Sequence, residues 1–120
     1  MKPLDFLEQR ERALAADLRR MVRIATVNPP GEAYRPMAEH LRDRLRELGM
    51  RPVVHRVPDA DVEAAGVDPA FPRYNVIGRW DAGADRCVHF NAHYDVVPVS
   101  AADWRVAAPF DGFIRGGWLY

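Results

Sequence analysis

The break Asn28-Pro29-Pro30-Gly31 constrains the fold of this chain more than any other feature, because it divides the N-terminal part into two separate helical segments. Two consecutive prolines remove backbone donors and restrict the residues before them, and the glycine opens a turn. Upstream, Leu7, Leu14, Leu18, Met21, Val22 and Ala25 fall on one face at helical spacing, which predicts a helix from about Leu4 to Ala25. Downstream, Met37, Leu41, Leu45 and Leu48 recur every three or four positions, Pro36 stands in the first turn and Gly49 marks the stop. That pattern predicts a second helix from Tyr34 to Leu48. Each helix has one apolar stripe and so requires an apolar surface to cover.

Strand-like runs follow that supply such a surface. Arg51 to Val57 is rich in valine and bounded by Gly49 and Pro58, and Tyr74 to Trp80 and Arg86 to His93 are further runs of the same kind. Asp81-Ala82-Gly83-Ala84-Asp85 between the last two is hairpin-sized, which predicts that they are antiparallel neighbours. Residues 58 to 73 read as a long connection with one helical turn around Asp61 to Ala65. Gly116-Gly117, between Phe113-Ile114-Arg115 and Trp118-Leu119-Tyr120, predicts a tight hairpin. The expected class is α/β, with the two N-terminal helices packed on a mixed sheet.

Charge and composition narrow the function. Seventeen basic and 17 acidic side chains cancel, so no global field draws the chain to nucleic acid or an anionic membrane. The run Arg42-Asp43-Arg44-Leu45-Arg46-Glu47 alternates in sign and reads as a solvated helix face paired Asp43 to Arg46 and Arg44 to Glu47. No apolar run is long enough to span a bilayer, and the charged N-terminus does not read as a secretory signal, so the expected location is the cytoplasm. Cys87, the one cysteine, excludes an internal disulfide.

Chemistry concentrates in Val88-His89-Phe90-Asn91-Ala92-His93-Tyr94-Asp95-Val96-Val97-Pro98. Pro98 cannot continue a ladder, so His93 and Asp95 are expected at or just past a strand end. Side chains at i and i+2 of extended backbone point the same way, so the Asp95 carboxylate is placed to accept a hydrogen bond from one nitrogen of His93. That fixes the tautomer and leaves the other nitrogen's lone pair for a metal. The same triplet also suits a simple hydrogen-bonded strand-end histidine. Cys87 and His89 do not complete a metal site with His93, being roughly 20 Å and 13 Å away along an extended strand. His40 and His55 read as ordinary helix and strand residues.

The run His93-Tyr94-Asp95-Val96-Val97-Pro98, followed by Trp104, Pro109-Phe110, Asp111-Gly112 and Gly117-Trp118-Leu119-Tyr120, resembles a zinc-dependent hydrolase family. That family includes acetylornithine deacetylase, succinyl-diaminopimelate desuccinylase, aminoacylase and carboxypeptidase G. Thr26 to Glu32, Leu45 to Gly49 and Arg73 to Gly78 resemble it too, in the same order. The resemblance implies hydrolysis of the amide bond in a small N-acyl amino acid or peptide by two zinc ions, with cobalt as a substitute. A metal-bound water, its pKa lowered toward ~7, supplies the attacking hydroxide.

By position in the motif, the resemblance makes His93 a zinc ligand and Asp95 the catalytic-site carboxylate that orients it. It places the bridging Asp, the general-base Glu and the remaining ligands beyond Tyr120. Residues 1–120 are therefore expected to be the N-terminal portion of the catalytic domain, without the dimerisation domain that makes the intact protein a homodimer. Such a fragment is expected to be inactive and to hold zinc weakly. The alternative is a non-catalytic remnant or interaction module of the same fold.

Overall fold

A computed structural model of the chain describes residues 2–120. It divides into two compact units: Thr26–Pro98, and the described residues up to Ala25 together with Val99–Tyr120.

The Thr26–Pro98 unit is built on helix α3 (Tyr34–Glu47) and two antiparallel strands, β1 (Arg51–Arg56) and β2 (Tyr74–Arg79). Register runs from Arg51 opposite Arg79 to Arg56 opposite Tyr74. Alternation sorts the side chains. Val54 and Val76 face each other half-buried on the α3 side, whereas Val53 and Ile77, also paired, are 59% and 60% exposed on the other. Gly78 lies on the α3 side, where a side chain would meet Leu45 and Met50 at 3.0–3.2 Å, so its lack of one admits the helix. Tyr34, Met37 and Ala38 are the buried residues of α3. Between the strands, a short helix α4 (Asp59–Ala64) buries Val62. It contains most of the predicted turn at Asp61 to Ala65. The predicted pairs Asp43–Arg46 and Arg44–Glu47 are present on the exposed face of α3.

The other unit holds α1 (Pro3–Glu8), α2 (Glu11–Val22), a 3-10 turn at Ala101–Asp103, and the hairpin of β3 (Ile114–Arg115) with β4 (Trp118–Leu119). Gly116 and Gly117 have φ of 59° and 82°, as a tight hairpin turn requires. Phe113 and Tyr120 extend the ladder by exchanging backbone hydrogen bonds. Arg23 of this unit donates from Nε to the Asp111 carbonyl at 3.0 Å.

Four expectations are corrected. The helix predicted from Leu4 to Ala25 is two helices interrupted at Gln9-Arg10, because Glu8 to Arg12 offers no apolar side chain to hold a turn by packing. The two predicted helices do not share one sheet: α3 lies in the Thr26–Pro98 unit with β1 and β2, and α1 and α2 in the unit with β3 and β4. Arg86 to His93 forms no strand: β2 pairs with β1 instead, and Val88 and Phe90 are 76% and 90% exposed. Strand-like composition without a ladder partner leaves irregular backbone. Finally, the mixed sheet is replaced, among the described residues, by two two-stranded antiparallel sheets and one isolated parallel bridge, Val27 with Val96.

Candidate functional site

The parallel bridge assembles the site. Val96 N–H donates to the Thr26 carbonyl at 2.9 Å and Asn28 N–H donates to the Val96 carbonyl at 2.8 Å. Thr26, 1% exposed, donates from its hydroxyl to the Tyr94 carbonyl at 2.6 Å. These bonds clamp Tyr94-Asp95-Val96 against the start of the Pro29-Pro30-Gly31 turn. Asn28 thereby reaches Asp95, and its Nδ2 donates to Asp95 Oδ2 at 3.0 Å.

The other carboxylate oxygen holds His93. Nδ1 of His93 lies 3.0 Å from Asp95 Oδ1 and 3.1 Å from the Asp95 carbonyl. Both partners are acceptors when the carboxylate is ionised, so Nδ1 is the donor, which in the neutral ring leaves the lone pair on Nε2. The imidazole is 86% exposed, which leaves Nε2 open. Beside it lies a cavity of about 310 Å³ whose walls include Tyr34, Arg73, Asn75, Asn91 and Tyr94. Its size is at the lower end for small-molecule sites.

Tyr34 and Tyr94 form the floor, edge to face with ring centroids 5.3 Å apart. Tyr94 donates its hydroxyl to the Tyr74 carbonyl at 2.8 Å, which ties the loop to β2. Burial, then neighbouring Tyr34 and Asp95, push the Tyr94 phenol up to about 12. Burial and the Asp95 charge raise Tyr34 as well. Both phenols therefore stay neutral at physiological pH and serve as hydrogen-bonding walls rather than anions.

Asp95 is held below its ordinary value of 3.8, first by the Asn28 amide and further by the His93 hydrogen bond, against partial burial. A carboxyl with a depressed folded-state pKa stabilises the fold above its unfolded pKa, and that contribution is lost as pH falls through the folded one. Wild type is therefore expected to lose, as pH falls below about 4, stability that Asp95→Asn has already lost. Urea melts of both proteins across that range check this; a stability gap that stays constant contradicts it.

The structure brings together His93 and Asp95, and with them Asn28, Tyr34 and Arg73, which motif reading passed over. It does not bring Cys87 or His89 to His93: among the described residues no group of three or more His, Cys, Asp or Glu side chains is placed to hold a metal. Asn28 lay in a segment read as a plain connection, and Arg73 in one read only as leading into a strand. Their contacts span 67 and 45 residues, so their only sequence signal was membership of the matched segments.

An exposed imidazole backed by an anchored carboxylate thus lies at the rim of a small-molecule-sized cavity. In sequence the chain is similar, over a short stretch, to succinyl-diaminopimelate desuccinylases. It is 48% identical over 48 residues, 38% of its length, to that of Dinoroseobacter shibae, and 47% identical over 47 residues to that of Cereibacter sphaeroides. The match spans 12% of the length of each relative. No family model matches the chain, and no solved structure does. No helix among the described residues is long and apolar enough to cross a membrane.

Proposed function

We propose that this chain is the N-terminal portion of the catalytic domain of a zinc-dependent amide hydrolase acting on small N-acyl amino acids or peptides. In it, His93 supplies one zinc ligand and Asp95 orients that ligand. The observation that supports this most is the 3.0 Å contact between His93 Nδ1 and Asp95 Oδ1, which leaves Nε2 as the free donor. A metal-ligating histidine commonly gives its other nitrogen to a carboxylate in this way. Local likeness to desuccinylases supports the same reading. Dimerisation, the remaining ligands and the general base belong, on this proposal, to sequence outside these 120 residues.

The residues present do not by themselves fit a zinc site. A catalytic zinc takes about three protein ligands, and the described residues bring no such group together. These residues alone therefore support no hydrolytic step.

The test is a zinc titration of the 15N-labelled chain followed at its four histidines. His93 Nε2 is expected to respond first, with weak affinity that His93→Ala abolishes. A silent His93 contradicts the ligand assignment, and a sub-micromolar site contradicts the claim that the site is incomplete.

A further inference from the structure

We propose that Asn28 and Arg73 are positioning residues for the His93–Asp95 pair, forming a polar relay seated in the space that Gly31 leaves open. The role of this relay rests on the reading of His93 as a ligand; its geometry does not.

The relay follows from what each group can donate or accept. Arg73 is a donor only, and ionised Asp95 is an acceptor only. Asn28 stands between them, with Oδ1 3.4 Å from Arg73 Nη2 and Nδ2 3.0 Å from Asp95 Oδ2. A carboxamide joins a cation to an anion in one orientation, oxygen toward the guanidinium and nitrogen toward the carboxylate. The contact to Arg73 is long, so it orients the amide mainly through charge and dipole. Asp95 Oδ2 is thereby held, and Oδ1 is left facing His93.

Arg73 is itself fixed by shorter bonds. Nη2 donates to the Pro30 carbonyl at 2.8 Å and Nη1 to the Phe71 carbonyl at 3.1 Å. Its guanidinium also lies over the Tyr34 ring, 4.8 Å from the centroid. It thus ties the turn that carries Asn28 to the residues leading into β2. A Cβ on Gly31 would lie 1.6 Å from Arg73 Nη1, so the guanidinium occupies the place of a side chain there.

The readout is the His93 tautomer, from 15N shifts of Nδ1 and Nε2 in the 120-residue chain held at one fixed, mildly alkaline pH. The Nδ1–H form is expected to dominate in the wild type. Asn28→Asp keeps the shape and the partner for Arg73 but turns a second carboxylate toward Asp95. It is expected to lower the ratio of Nδ1–H to Nε2–H about tenfold, the scale of one charge-assisted hydrogen bond. Arg73→Lys, which cannot reach Pro30, Phe71 and Asn28 together, is expected to shift it the same way. Val62→Ala removes buried apolar packing in α4 and lowers stability away from the relay, so the ratio should hold. A wild-type chain with mainly Nε2–H overturns the proposal, as does an unchanged ratio in folded Asn28→Asp. Should Asn28→Asp fail to fold, an unchanged ratio in Arg73→Lys overturns it instead. A chain with the expected tautomers but no zinc contact at His93 keeps the relay and rejects the hydrolase reading.

Discussion

Replacing Gly31 by alanine is expected to destabilise the chain by about 2–6 kcal/mol, far more than one added methyl group costs on a surface. Two independent terms add. Gly31 has φ of 111°, a conformation in which a Cβ is strained, at a cost of about 1–3 kcal/mol. The added carbon also collides with the Arg73 guanidinium, which must leave three acceptors and the face of Tyr34, and overpacking of this kind costs a further ~1–3 kcal/mol. Gly49 separates the terms: its φ is 82°, but a Cβ there meets nothing within 4 Å. Gly49→Ala should therefore cost only the strain term, about 1–3 kcal/mol. Urea denaturation of the two variants checks the difference, and equal losses would show that Arg73 is not seated where the relay requires it.

The elements and contacts legible in the sequence were those set by neighbours in the chain. Helix α3 follows from the spacing of Met37, Leu41 and Leu45, the Gly116-Gly117 hairpin from two residues that tolerate positive φ, and the Asp43–Arg46 pair from helical geometry. The hydrogen bond between His93 and Asp95 belongs to the same group, since it spans two residues. What failed was pairing at a distance. Tyr74 to Trp80 has a short glycine-containing loop on its C-terminal side, so the strand-like run after that loop looked like its partner. The actual partner is Arg51–Arg56, reached across α4, where α3 buries Val54 and Val76 together. No such packing awaits Val88 and Phe90, and their run stays unpaired.

The candidate site divides in the same way. His93 and Asp95 were readable because their chemistry is local. Asn28 was hidden because Pro29-Pro30-Gly31 accounts for a turn without any further role, and Arg73 because a lone arginine before a strand carries no pattern. Both become visible only when Val27 bridges Val96 and folds the turn onto the His93 loop.

The largest functional effect is expected at His93. The chain, matched over only 12% of its relatives' length, is proposed to contribute one ligand to a site completed elsewhere. The direct test joins residues 1–120 to the sequence that follows the matched stretch in one of the desuccinylases it is similar to, and measures zinc-dependent amide hydrolysis with His93 intact and replaced by alanine. Partners that merely orient a ligand are worth roughly 10- to 100-fold in metal affinity or activity, so loss of the ligand itself should exceed about 100-fold. Asp95→Ala should fall within that 10- to 100-fold range, because it frees the imidazole without removing it. An active chimaera that loses zinc-dependent turnover with His93→Ala is the result this account predicts. An active chimaera whose turnover is unchanged by His93→Ala would contradict it.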